Sequence, residues 1–250
     1  MSFRTGLLSP VFPVANRVRT YLRFVTLRQR FRRTFRSRTM ADAFGEIYRQ
    51  GAWGRAEGEN FFSGSGSTVE FSAAYATFVN DFVEAHKVSQ IVDLGCGDFR
   101  VGRLINTSER VHYTGMDIVA ELISHNQAKY ASPFVRFRCG NAISDELPDG
   151  DLCLVRQVLQ HLSNSQITAI LNRCSKYRYV LVTEDVYNGP GGQPNIDKPA
   201  GWDTRTYSKS GVYVDLMPFN FAARTVLEIP TQMNTVLRTL LIVNPLSNTG

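Results

Sequence analysis

The sequence predicts an α/β fold: a doubly wound, seven-stranded sheet, mostly parallel, that closes on an antiparallel C-terminal hairpin strand. Three observations predict it. From residue 90 onward short apolar runs alternate with helical stretches, and strands separated by helices pair in parallel with both sheet faces covered. The first run ends in an acid and a glycine-rich loop, IVDLGCGDF over 91–99, which is how a ligand-binding turn at the carboxyl end of a strand is built. The last two runs, near ARTVLEI and TVLRTLLIV, lie too close together for a crossover helix, so they pair antiparallel.

The elements follow in order. Residues 1–39 are a basic arm. Ten of the 28 basic residues, all Arg, fall in 1–40, where there is no acid. The other 18 face 22 acids, so the net charge of +6 belongs to the arm and the rest is mildly acidic. Pro10 and Pro13 break any helix at the start. Residues 17–38 contain neither Pro nor Gly, and Val18, Tyr21, Leu22, Val25, Leu27, Phe31 and Phe35 recur at roughly helical spacing. Such a segment suits a peripheral membrane surface, RNA, organelle targeting, or a solvated extension; the sequence leaves these open.

Residues 40–250 form the second unit. Residues 41–50 read as a short helix. The Gly/Ser-rich stretch after it carries Trp53, Phe61 and Phe62, so it reads as an ordered loop or lid and not as a linker. Ser67 or Thr68 is placed to cap a helix from Val69 to about His86, with Phe71, Ala74, Tyr75, Phe78, Phe82 and Val83 on one face. Strands are then predicted at QIVDL, VHYTGMD, FVRFRC, DLCLVR and RYVLVTE. Helices are predicted at RVGRLINT, VAELISHNQAKY, QVLQHL and SQITAILNRCSKY. A Gly/Pro-rich loop over about 187–213 follows. It holds Trp202, Asp203, Arg205, Tyr207 and Lys209, which suit a cap over a substrate.

Composition sets limits on function. With 43% hydrophobic residues in 250, one domain with a full core is expected. No run of about 18 apolar residues offers a transmembrane helix. Cys96, Cys139, Cys153 and Cys174 form no CxxC pair and have no His at zinc-ligand spacing. They read as free thiols in a reducing cytoplasm, and no metal site is expected.

The chemistry lies at the strand ends. Gly95 and Gly97 let the chain turn tightly and let a ligand approach the backbone. Asp93 and Asp98 flank the loop, which repels a pyrophosphate and suits a cationic amino group. The third glycine of the dinucleotide fingerprint falls at Arg100, which argues against a nicotinamide-dependent oxidoreductase. Asp117 ends the next strand, where an acid can chelate two ribose hydroxyls or cap the helix that follows.

The series DLGCGDF, MDIV and GNAISDELPDGDLCLVRQVLQHL resembles successive motifs of the class I S-adenosylmethionine-dependent methyltransferases over about residues 88–185. Trp53–Gly54 and the GSGS segment resemble the N-terminal part of a poorly characterised bacterial group of them. The resemblance implies a Rossmann-like sheet and S-adenosyl-L-methionine as cofactor. Asp93, Gly95 and Gly97 would line its methionine end, Asp117 its ribose, and Asn141 and Ala142 its adenine, with Cys96, Asp98 and Ile118 also in the cofactor site. Arg156 and Gln157 would stand near the sulfonium and substrate. Two departures stand out. Asn141 replaces the usual acid beside adenine, though its carbonyl can still accept. Phe99 replaces a frequent third glycine, so it either narrows the pocket or packs under the loop.

The expected reaction is methyl transfer to a small-molecule or glycan acceptor, at oxygen or nitrogen. In-line placement is the main requirement, and a hydroxyl acceptor also needs a general base. His161, Glu184 and Asp185 are the candidates, each with packing or loop capping as its alternative role. His86, His112 and His125 read as structural. Two other readings remain: an RNA methyltransferase that uses the arm, and a non-catalytic cofactor-binding module acting through it. The first lacks an NPPY-like motif after the fourth strand. The expected location is the cytoplasm, with residues 17–38 as the segment for membrane association.

Overall fold

The computed structural model describes residues 38–245 except Met233, together with the isolated positions Thr26 and Gln29. The helix expected over 17–38, and the membrane or RNA contacts expected of it, lie almost wholly outside the described residues. Among the described residues no helix is long and apolar enough to cross a membrane.

The elements are α1 (Met40–Gln50), α2 (Val69–His86), β1 (Gln90–Leu94), β2 (His112–Asp117), α3 (Ala120–Tyr130), β3 (Val135–Cys139), β4 (Leu152–Arg156), α4 (Asn164–Arg173), β5 (Tyr179–Tyr187), β6 (Ala223–Gln232) and β7 (Thr235–Val243). They build one seven-stranded sheet in the order β3-β2-β1-β4-β5-β7-β6. Pairings among β1 to β5 are parallel. β7 inserts antiparallel between β5 and β6, which is the predicted hairpin. Pro230 sits on the outer strand β6, where its missing N–H costs least.

The central strands are apolar because both faces are covered. Along β4 the side chains alternate between two cores. Leu152 and Leu154 join Tyr75, Val79, Ile91 and Leu181. Cys153 and Val155 join Val92, Leu94, Leu171 and Tyr177.

Local chemistry sets the helix ends. Thr39 caps α1 by accepting from the Asp42 amide at 3.2 Å, and Gly51, at φ 59°, ends it. Ser163 and Gln166 form a capping box on α4. Thr68 opens α2 in extended conformation, but its side chain caps nothing. The buried face of α2 is Ser72, Tyr75, Ala76, Val79, Phe82 and Val83; Ala74, expected on that face, is exposed.

Two expected helices shrink to single 3-10 turns. RVGRLINT forms only Gly102–Leu104. Asn80 from α2 donates to the Leu104 carbonyl at 3.1 Å and accepts from the Asn106 amide at 2.8 Å, taking groups a longer helix would use. QVLQHL forms only Leu159–His161, and Glu184 accepts from the amides that lead into the turn.

Candidate active site

The strand order reverses direction between β1 and β4, and a crevice opens there at the strand carboxyl ends. It is a cleft of about 1140 Å³, its open mouth included. Four strand ends supply its floor and walls: Asp93 and Gly95 to Asp98 at the end of β1, Met116 to Ile118 at the end of β2, Gly140 to Ile143 after β3, and Arg156 to Val158 with His161 at the end of β4. All eleven residues expected to hold a cofactor line this one cleft.

The glycine loop is a tight hairpin of backbone. The Gly95 and Cys96 amides both donate to the Met116 carbonyl, at 2.7 and 3.1 Å. Gly95 and Gly97 have φ of 76° and 57°, left-handed conformations that suit glycine. A Cβ on Gly95 would stand 2.3 Å from a Val158 methyl, and one on Gly97 2.5 Å from the Ser63 hydroxyl. Phe99 is also left-handed, at φ 60°. Its ring lies under the loop against Tyr113, Tyr130 and Phe137 and does not line the cleft.

The acids have distinct tasks. Asp93 is buried at the end of β1 and accepts from the Tyr113 hydroxyl. Burial raises its pKa to about 6, against the lowering effect of Tyr113 and Arg156. Asp117 spreads its two oxygens: Oδ2 accepts from the Gly97 amide at 3.2 Å and Oδ1 from the Val119 amide at 3.0 Å. Each oxygen keeps a further lone pair. The Val119 bond is a local turn bond and not the expected helix cap, since no side chain caps α3; Asp117 can still accept from a diol. Asp98 is turned toward the N-terminal segment. It accepts from the Ser63 amide at 3.1 Å and lies 3.4 Å from the Arg100 guanidinium.

Asn141 departs from an acid in a visible way. Its Oδ1 already accepts from the Ile143 amide at 2.9 Å, a local turn bond. A second lone pair and the amide nitrogen remain for a ligand. Arg156 crosses the floor, with its guanidinium 5.1 Å from the Tyr75 ring centroid. It donates to the Gly66 carbonyl at 2.8 Å and to Gln157 Oε1 at 3.1 Å.

α1 and the loop after it close the top. Met40, Phe44 and Tyr48 line the cleft from α1, and Trp53, Ser63 and Ser67 from the loop. The sequence reading placed Trp53 in a lid but missed the three α1 residues. Their spacing of four was the available signal, because it puts all three on one helix face. Ser63 carried no sequence signal.

Among the proposed bases, only His161 lines the cleft. Its ring sits 5.1 Å from the Trp53 ring, and its Nδ1 has no hydrogen-bond partner. Burial, then the Lys198 charge, lowers its pKa to about 4, so the ring is neutral at physiological pH. Glu184 is fully buried behind the cleft and binds backbone amides. Asp185 accepts from the Thr231 hydroxyl at 3.0 Å on the far side of β5.

Residues 187–213, expected as a substrate cap, contribute no side chain to the cleft lining. They brace it from behind. Trp202 packs on Ile47 and Trp53, and its carbonyl accepts from the Trp53 indole at 3.1 Å. The Gly201 amide donates to the His161 carbonyl at 2.9 Å. Arg205, 1% exposed, donates to the Leu162 carbonyl at 2.7 Å. Trp202 and Arg205 are thus spent on packing, while Tyr207 and Lys209 are exposed.

Residues 91–177 match the family model of a methyltransferase domain. Solved structures share the fold. Magnesium protoporphyrin IX methyltransferase from Synechocystis, with bound S-adenosylmethionine, has a TM-score of 0.52 at 14% identity, covering 82% of this chain and 95% of that one. The N-methyltransferase NodS from Bradyrhizobium japonicum, in complex with S-adenosylhomocysteine, has a TM-score of 0.51 at 13% identity, covering 70% and 87%. The N-terminal domain of EvdMO1 with S-adenosylhomocysteine bound has a TM-score of 0.51 at 13% identity, covering 80% and 96%. The chain spans 49% of the longer EvdMO1 chain and 57% of human N-acetylserotonin methyltransferase. No curated protein sequence matches it. The likeness to solved structures carries the fold. The family match covers the strands that hold the glycine loop and Asp117, and makes residues 91–177 similar to a methyltransferase domain.

Proposed function

We propose that this protein transfers a methyl group from S-adenosylmethionine to a small-molecule or glycan acceptor placed beside Trp53 and His161. One observation carries the reading. The cleft joins a glycine loop and a diol-facing acid at one end to a neutral, buried imidazole at the other. The residues fit the cofactor: Gly95 and Gly97 leave backbone free of Cβ atoms, and Asp117 keeps acceptor capacity toward a ribose. Asp93 gives an anionic partner for an amino group, and Asn141 with Ala142 gives an edge for adenine. When bound, the cofactor supplies a methyl group already activated by its sulfonium.

The chain's own contribution is placement. Trp53, Tyr48 and Phe44 exclude water and hold a flat or hydroxylated acceptor. Gln157 orients it by hydrogen bonding. For a hydroxyl acceptor, the neutral His161 takes the proton as the methyl group arrives. An acceptor amine that arrives neutral needs only placement.

We place the enzyme in the cytoplasm, on its four free cysteines, and assign its arginine arm to contact with an anionic surface, whether lipid or RNA. Calorimetry with S-adenosylhomocysteine and with NADH tests the cofactor: binding of the first and none of the second is expected, and the reverse overturns the class. A methyl-transfer screen over hydroxyl, amine, glycan and RNA acceptors tests the substrate. Turnover on RNA alone would overturn the small-molecule reading.

A further inference from the structure

Glu184 is a fully buried carboxylate on β5, outside the cleft. Its Oε1 accepts from the amides of Val158 at 3.0 Å and Leu159 at 2.8 Å, and its Oε2 from the amide of Gln160 at 3.2 Å. These three amides lead into the 3-10 turn Leu159–His161, whose own N-cap residue makes no side-chain cap. A turn there leaves its first amides without partners, and burial would make each a substantial cost.

The turn needs outside help for a second reason. β4 ends at Arg156, and the next residue, Gln157, has φ of 55° although it is not glycine. The Gln157 amide donates to the Thr183 carbonyl at 2.7 Å. Thr183 and Glu184, adjacent on β5, thus receive four consecutive amides, from Gln157 to Gln160. The backbone is pulled into a concave arc, and its outer side faces the cleft.

That outer side carries the acceptor end of the site. Val158 abuts Gly95 so closely that any Cβ there would collide, and the Gln157 amide group fills the space over Gly66. Gln157 also holds Arg156, and His161 sits at the end of the turn. Two cations act on Glu184, Arg205 and Arg156. Arg205 is spent on the Leu162 carbonyl, directly after the turn. A carboxylate is costly to bury: burial raises the Glu184 pKa to about 8, against the lowering effect of the three amides and Arg205.

We infer that Glu184 is a positioning residue for methyl transfer: its carboxylate gathers the amides of Val158, Leu159 and Gln160, and so fixes where Gln157 and His161 stand against the acceptor. The inference rests on the methyl-transfer reading. Glu184 does not touch the acceptor, so it acts only through the turn.

The test compares full-length wild type with Glu184→Gln and Glu184→Ala. Glutamine keeps one oxygen for Val158 and Leu159 but sets an NH2 group against the Gln160 N–H. Glu184→Gln should fold, by circular dichroism and thermal melting, and bind S-adenosylhomocysteine within about threefold of wild type. Its kcat should fall by at least about tenfold with the cofactor KM nearly unchanged. Amide exchange at 158–160, measured without cofactor, should accelerate while exchange in β1 and β2 does not. Glu184→Ala should be worse on each count. A folded Glu184→Gln with wild-type amide protection at 158–160 overturns the inference. So does a parallel loss of kcat and cofactor affinity, which would signal general destabilisation. A wild type that binds no S-adenosylhomocysteine condemns the methyl-transfer reading instead, and the exchange data still decide whether Glu184 holds the turn.

Discussion

Ser63 and Asp98 clasp each other across the cofactor loop: the Ser63 amide donates to Asp98 Oδ2 at 3.1 Å, and the Asp98 amide donates to Ser63 Oγ at 2.9 Å. The Ser63 hydroxyl also meets the Tyr48 hydroxyl at 3.0 Å. Three segments far apart in sequence are tied at one point, directly over Gly97. Ser63→Ala leaves the Asp98 amide and the Tyr48 hydroxyl short of a partner, at a cost of about 1–2 kcal/mol in stability. S-adenosylhomocysteine affinity should fall by roughly three- to tenfold, because α1 and the loop no longer close together. Calorimetry with a parallel thermal melt checks this. An unchanged affinity would mean that the clasp stabilises the fold without shaping the cleft.

Asp117 holds two backbone amides, those of Gly97 and Val119. Asp117→Asn keeps one acceptor oxygen and puts an NH2 group against one of the two amides it now holds. Cofactor affinity should weaken by about 1–3 kcal/mol, as expected when a charged acceptor is lost. The melting temperature should fall too, since one of these two amides loses its acceptor, at a cost of about 1–3 kcal/mol. If affinity holds while stability falls, Asp117 only braces the loop and the ribose lies elsewhere.

How legible was this in the sequence? The sheet was, because its strands are short, apolar and separated by helices, and β6 and β7 are too close to cross over. The strand-end wall of the cleft was also legible: Asp93, the glycine loop and Asp117 are local to strand ends, and a strand end is visible in one dimension. Legibility stopped where partners are distant. Nothing near Ser63 announces Asp98, 35 residues on. Glu184 looked like a rim acid because it ends an apolar run; its partners lie 24 to 26 residues upstream. Trp202 and Arg205 looked like acceptor ligands by composition, but their contacts turn inward. The helix expected at RVGRLINT failed for the same reason, since Asn80 takes its hydrogen bonds from outside.

Among the described residues, the arm adjoins the cleft at Thr39 and Met40. Thr39 caps α1, and Met40, the first helical residue, lines the cleft. Removing residues 1–38 should therefore leave S-adenosylhomocysteine affinity unchanged, apart from the exposed ion pair between Arg38 and Glu46 at 3.8 Å, which is worth little. Removing residues 1–40 should weaken it, since the cap and a wall residue go together. Binding to anionic vesicles or RNA, measured at two salt concentrations, should drop in both truncations. Equal loss of cofactor affinity in both would place part of the arm in the pocket.

His161 sets the pH behaviour. An unburied imidazole would give a rate that rises through its ordinary pKa, roughly 6–7. Burial and the Lys198 charge lower that pKa to about 4, so the proton-accepting form already dominates above about pH 5. With a hydroxyl acceptor the rate should be flat from roughly pH 6 to 8 and fall only as the pH drops toward 4. Stability should move in the same direction. The folded state binds the proton more weakly than the unfolded chain, so this contribution is complete above about pH 6.5 and is lost as the pH falls toward 4. His161→Ala should slow turnover by roughly a hundredfold with cofactor affinity nearly unchanged, and His161→Gln should be no better, because an amide accepts no proton. Lys198→Met should raise the imidazole pKa and move the acid limb of the profile to higher pH. Turnover by His161→Ala within about threefold of wild type would leave placement by Trp53 and Gln157 as the source of the rate, with the imidazole a wall of the acceptor site.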